Sequence, residues 1–181
     1  VILEHVTTAD GVDFVRDAGD NMAFMGWEVE TKNDIEFYAN KLEKNNIEVV
    51  YADKNLCDKR FVEELIFFYD PQGNRIEIVY NPMKDEEPFV PGRPISGFKT
   101  GPYGMGHIVI NVKDVKSLIP FYKDILGFKI TDYSNTPISL CFFHVNGRHH
   151  SFAFFESGKE GFHHFMAVSY THLTLPTTTI V

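Results

Sequence analysis

GMGHIVINVKDVKSLIPFYKDILGFKITDY, residues 104–133, is the stretch whose reading decides the fold. GHIVINV (106–112) is a short apolar run of strand character. VKSLIPFYKDIL (115–126) then carries helical spacing, with Pro120 expected to kink the helix or sit early in it. FKITDY (128–133), ISLCFFHV (138–145) and HHSFAFF (149–155) return to strand-like composition. The element order is β-α-β-β-β.

The same order precedes it. MAFMGWEV (22–29) reads as a buried strand, and KNDIEFYANKLEKNN (32–46) places Ile35, Tyr38 and Leu42 on one helical stripe, with Asn33 or Asp34 as N-cap. IEVVYA (47–52) follows as a strand. ELIFFYD and NRIEIVY are two more, joined at Asp70-Pro71-Gln72-Gly73, a tight-turn composition. Phe37-Tyr38-Ala39-Asn40-Lys41-Leu42 lines up with Phe121-Tyr122-Lys123-Asp124-Ile125-Leu126, each inside the helix after a first strand. The chain therefore reads as an α+β protein of repeated βαβββ modules. A unit of roughly 80 residues is too long for a solenoid repeat.

Five of nine prolines fall between positions 82 and 102, so residues 81–102 read as a linker between segments 1–80 and 103–170. The opening VILEHVTTADGVDFV is already strand-like, and THLTLPTTTIV (171–181) is uncharged and threonine-rich. We expect modules truncated at both ends and a tail that is non-native or disordered.

Composition narrows the function. With 17 basic and 25 acidic residues the net charge is −8, which argues against nucleic-acid and anionic-membrane partners. No apolar stretch reaches the roughly 18 residues of a membrane span. Cys57 and Cys141 form neither a CxxC pair nor a disulfide framework, and a reducing cytoplasmic setting is the default. Six of eight histidines lie between positions 107 and 164. Histidine is the commonest metal ligand and the acid/base of neutral pH.

His107 begins the strand GHIVINV and shares a face with Val109 and Asn111. It is either a polar strand start or a metal ligand held on a sheet. Asn146-Gly147-Arg148-His149-His150 is either a polar turn or the source of one imidazole acting as general acid/base, with Arg148 orienting the turn or holding an anion. In Phe162-His163-His164-Phe165-Met166, strand alternation lets only one histidine face inward. Two histidines on separate strands suit an open site completed by one carboxylate, the facial arrangement of non-haem Fe(II). On these residues alone a zinc hydrolase is also open.

GMGHIVINVKDVKSLIPFYKDILGFKITDY, with CFFHVNGRHHSFAFF and FHHFM in order, resembles the catalytic half of the type I extradiol ring-cleavage dioxygenases of the vicinal oxygen chelate superfamily. AFMGWEV, FYDPQGNRIEIVYNP and the FxTGxxGMGH approach are similar to that family's non-catalytic N-terminal domain. The resemblance spans residues 1–168. It implies the vicinal oxygen chelate fold, with 1–80 the end of the N-terminal domain and 103–170 the start of the catalytic one. It implies meta cleavage of a catechol-type aromatic with O₂ in aromatic catabolism. His107 and His164 are then the Fe(II) ligands, Mn(II) being accepted by the same set, and His150 the acid/base. Val109, Arg148 and His149 border the substrate and oxygen pocket, with His149 and His163 the outward members of their pairs.

A multimeric parent protein is also implied. The family's third ligand, a glutamate on a later strand, has no counterpart in the chain. The 181-residue chain alone is therefore expected to be inactive and poorly soluble. Glu77 stands where related modules carry a metal carboxylate, but Met25-Gly26-Trp27 replaces the ligand histidine there, so a structural role is expected. The alternative function is a non-redox ligand-binding or glyoxalase-like protein of the same superfamily.

Overall fold

The computed structural model describes residues 22–87, 89–92, 97–99 and 101–168. The strand-like opening and the threonine-rich tail lie outside them. Strand β1 (Met25–Val29) leads into helix α1 (Lys32–Glu43). Its cap is Thr31, ahead of both Asn33 and Asp34: the Asp34 carboxylate accepts from the Thr31 backbone N–H at 2.8 Å and from its hydroxyl at 2.7 Å. Ile35, Ala39 and Leu42 are buried at i, i+4 and i+7, and Tyr38 packs half-buried beside them. MAFMGWEV is not a fully buried strand. Only Met25 within β1 is buried, because β1 lies at a sheet edge.

Strand β2 (Val50–Tyr51) is a two-residue remnant of the expected IEVVYA strand. Helix α2 (Lys54–Arg60) follows and was not anticipated. It buries only Cys57, so no apolar stripe announced it. Its signals are the Asp53 side chain, which accepts from Leu56 N at 2.8 Å, and basic residues in its last turn. Strands β3 (Val62–Tyr69) and β4 (Arg75–Pro82) flank the Asp70-Pro71-Gln72-Gly73 turn as read. There the Asp70 carboxylate accepts from Gln72 N and Asn74 N, and Gly73 takes a φ of 82°.

The second unit runs β5 (Gly106–Val112), α3 (Val115–Pro120), β6 (Lys129–Ser134), β7 (Leu140–His144), β8 (Phe152–Glu156) and β9 (Gly161–Ala167). The kink expected at Pro120 is a π-helical turn over Phe121–Ile125, in which Leu126 N donates to Phe121 O at 3.0 Å. Pro120, which supplies no N–H to the helix, is the residue that caps this widened turn.

The duplication is explicit in the sheets. The first has the order β1-β4-β3-β2 and the second β6-β7-β8-β5-β9. In each unit the first strand pairs in parallel with the last, β1 with β4 and β5 with β8, and the remaining pairs are antiparallel. β9 then adds antiparallel to the free side of β5.

One buried core spans both units. Tyr122 stacks on Phe152 at 4.8 Å, with Phe154, Phe128 and Phe143 around it. Trp27 of β1 meets Phe128 edge-on at 4.9 Å, and Phe68 of β3 meets Phe121 at 6.2 Å. Buried among these rings, the Tyr122 hydroxyl donates to Asp70 Oδ2 at 2.7 Å, tying the first unit's turn to the second unit's helix. Among the described residues no helix is long and apolar enough to cross a membrane.

Candidate metal centre

β9 lies against β5 because residue 106 is glycine. A Cβ there would sit 1.8 Å from the Met166 carbonyl oxygen, so any side chain would push the strands apart. The register places His107 opposite Met166 and Val109 opposite His164, so the two histidines are diagonal neighbours on one face, the face that Val109 shares. Their Nε2 atoms are 3.3 Å apart. The ladder then shifts between Val109 and Ile110, which pair with His164 and Phe162 and leave His163 as the extra residue of a β-bulge. Strict alternation therefore fails locally. His163 Nδ1 lies 2.7 Å from His164 Nδ1, closer than residues on opposite faces of a regular strand could come, and its ring meets Phe155.

His149 and His150 precede β8 rather than belonging to it, so the alternation expected for that pair does not govern them. His150 is the one that turns to the site. Its ring lies 4.2 Å from that of His107, centroid to centroid, and Phe142 of β7 packs edge-on against it at 5.0 Å. His149 Nδ1 approaches His150 Nδ1 at 3.0 Å. Arg148 orients the turn: its Nη2 donates to the Gly104 carbonyl at 3.2 Å and its backbone N–H to Asn146 Oδ1 at 3.0 Å. Tyr103 closes on the same turn, its hydroxyl 2.8 Å from where a Cβ at Gly147 would stand.

The electrostatics favour the neutral form of His107, His150 and His164. Burial, followed by the His150, His164 and Arg148 charges, pushes His107 down to about 4. Burial first, then His149, His164 and Arg148, lowers His150, and burial and His163 lower His164. Neutral imidazole is the form that coordinates a metal or accepts a proton. Two neutral nitrogens 3.3 Å apart would subtend about 100° at an ion bound at about 2.1 Å, as adjacent corners of one coordination shell do. Among the described residues no group of three or more His, Cys, Asp or Glu side chains gathers as a metal site.

Glu77 is not part of this centre. It is buried, 1% exposed, and accepts from Arg60 Nε at 3.1 Å and Arg75 Nε at 2.9 Å, while those guanidiniums lie over Phe24 and Phe67. The structural role expected for it holds. Sequence reading did not single out Phe142, Tyr103 or Thr131, which touch the His149–His150 segment or its turn, or His144, which reaches Thr131. Their sequence spacing does not place them beside that turn; the fold does.

A βαβββ pair thus sets imidazoles at the start of one unit's first strand and on the strand added beside it, side chains of the kind that can ligate a metal. Residues 104–178 match the model of the Glyoxalase/Bleomycin resistance protein/Dioxygenase superfamily. The chain is 37% identical over 159 residues to a 3-methylcatechol 2,3-dioxygenase of Pseudomonas putida, covering 83% of this chain and 55% of that protein. It is 38% identical over 156 residues to a biphenyl-2,3-diol 1,2-dioxygenase of Paraburkholderia xenovorans, covering 81% and 52%. The crystal structure of BphC, a halotolerant catechol dioxygenase, superposes with a TM-score of 0.79 at 32% identity, over 84% of this chain and 52% of that one. The fold is the vicinal oxygen chelate fold of these dioxygenases. The chain spans about half the length of the curated relatives it matches.

Proposed function

We propose that the chain is part of an extradiol dioxygenase in which His107 and His164 hold Fe(II) and His150 moves protons on a catechol. The observation that carries this reading is the approach of the two Nε2 atoms to 3.3 Å, with the His150 ring stacked beside them. Bound there, Fe(II) supplies the place where a catecholate and O₂ meet and exchange electrons; Mn(II) would suit the same ligands. The third ligand is a carboxylate from outside the described residues.

The chain's own residues set the protonation states. His150, neutral because burial disfavours its charged form, accepts a proton from a catechol hydroxyl and returns it after ring opening. The Arg148 charge, felt at His107 and His150, favours an anionic substrate at the same place. Val109, buried on the His107 face, keeps water from the oxygen side of the pocket, and His149 buttresses His150. In this reading residues 81–102 link the two module sets, the parent enzyme is a homo-oligomer of the cytoplasm, and both buried thiols stay reduced.

Oxygen uptake with catechol, 3-methylcatechol and 2,3-dihydroxybiphenyl, using the complete protein reconstituted with Fe(II) under anaerobic conditions, tests the reading. His164→Ala abolishes metal binding and uptake. His150→Ala retains the metal and slows turnover on the order of 10²-fold. Full activity in His164→Ala would remove it from the ligand set, and metal loss in His150→Ala would exchange the roles of base and ligand. Stoichiometric catechol binding without oxygen uptake would favour the non-redox alternative.

A further inference from the structure

The strand β6 carries a second bulge. Ile130 pairs with Phe143 and Asp132 with Phe142, which leaves Thr131 as the extra residue, its side chain freed from the ladder. Thr131 Oγ1 lies 2.6 Å from the His149 carbonyl oxygen and 2.5 Å from His144 Nδ1. A carbonyl only accepts and a hydroxyl has one proton, so Thr131 donates to His149 O. It then has only lone pairs left for His144. The partners thus fix His144 as the Nδ1–H tautomer, donating to Thr131.

The bond falls at the peptide that joins His149 to His150. On its C-terminal side the ladder resumes at once, with Ser151 N donating to Phe143 O at 2.8 Å. On its N-terminal side the turn is held by Asn146 and Arg148 on the carbonyls of Tyr103 and Gly104. Between these anchors the hydroxyl fixes the plane of the peptide that aims His150. We propose that Thr131 is a positioning residue for His150, with His144 holding its hydroxyl in the donating orientation. The proposal rests on the role assigned to His150 above, but its physical core does not need turnover to be tested.

The complete protein is labelled with ¹⁵N, and long-range ¹H–¹⁵N imidazole correlations, amide exchange and, with Fe(II) bound, ring-cleavage kinetics are measured for the wild type, Thr131→Val and Thr131→Ser. The expected results are a His144 Nδ1–H tautomer at neutral pH and at least 10-fold faster exchange of the Ser151 amide in Thr131→Val. In that variant kcat also falls about 10- to 100-fold with iron content and KM unchanged, as a small misplacement of a reacting group produces. Thr131→Ser restores all three. A His144 Nε2–H tautomer in the wild type overturns the proposal without reference to any variant. So does Thr131→Val with unaltered exchange and kcat, or Thr131→Ser no better than valine. A wild type that shows the tautomer and the exchange contrast but cleaves no catechol would refute the proposed function and leave the clamp standing.

Discussion

Tyr122→Phe tests whether the two units fold as one. The Tyr122 hydroxyl is the polar bridge from the second unit's helix into the Asp70 turn, 2.7 Å long and surrounded by Phe152, Phe154, Phe128 and Phe143. A hydrogen bond to a charged acceptor contributes about 1.5–3 kcal/mol. Phenylalanine keeps the ring, so no cavity opens. Asp70 also keeps three donors, Gln72 N at 2.9 Å, Asn74 N at 2.8 Å and Asn74 Nδ2 at 2.9 Å, so it is not orphaned. The cost therefore falls at the lower end, about 1.5–2 kcal/mol, or roughly 3–8 °C in Tm for a chain of this size.

Urea unfolding at pH 7 should show the midpoint falling at constant slope. The pH dependence adds a second, independent signature. Burial first, then the Asp70 charge and the hydrogen bond, raise the Tyr122 phenol well above its ordinary 10. The folded state therefore holds the proton more tightly than the unfolded chain. The stabilisation is complete below pH 10 and is lost as pH rises from 10 toward the folded value. The gap between wild type and Tyr122→Phe should stay constant from pH 6 to 9 and narrow above 10. In a double-mutant cycle with Asp70→Asn, coupling of about 1 kcal/mol or more is expected for groups in contact. Coupling near zero, or a gap unchanged through pH 11, would refute the bridge.

Glu77→Gln should cost about 3–5 kcal/mol, measured by urea unfolding, because it removes the buried carboxylate charge that Arg60 and Arg75 share; metal affinity should not change. Gly106→Ala should displace β9 from β5, since the added Cβ meets the Met166 carbonyl. It should lower both stability, by about 1–3 kcal/mol, and Fe(II) affinity by calorimetry, because His164 moves with its strand. Cys141, fully buried and pushed up by burial to about 11, should resist iodoacetamide at pH 8 until denaturant opens the second sheet; fast native labelling would contradict its placement.

What could be read from the sequence was whatever repeats or alternates over several residues. The strand β5, the helix stripe Ile35 and Leu42, and the Asp-Pro-Gln-Gly turn each carry their own pattern, and the parallel pairing of first and last strands in both units matches the duplicated order. Helix α2 was missed because seven residues burying one side chain make no period. The proximity of His107 to His164 came only from the family resemblance, since nothing local in either strand states their register.

The site's finer geometry escaped reading for a single physical reason: it is made where the ladders break. Side-chain direction from sequence rests on a period of two, and an inserted residue resets that period at a point no composition marks. At His163 the inserted residue brings two imidazoles to 2.7 Å that alternation would separate, and at Thr131 it releases a hydroxyl to reach the peptide before His150. Both bulges lie on strands beside the histidines, and among the described residues the first sheet's ladders run without a register shift. Without these bulges, β9 and β6 would carry the same residues with different neighbours. The arrangement of the imidazoles is thus a property of two insertions in register as much as of the histidines themselves: deleting Thr131 should disturb it while leaving every histidine in the sequence, and deleting His163 should do so while leaving His107, His150 and His164.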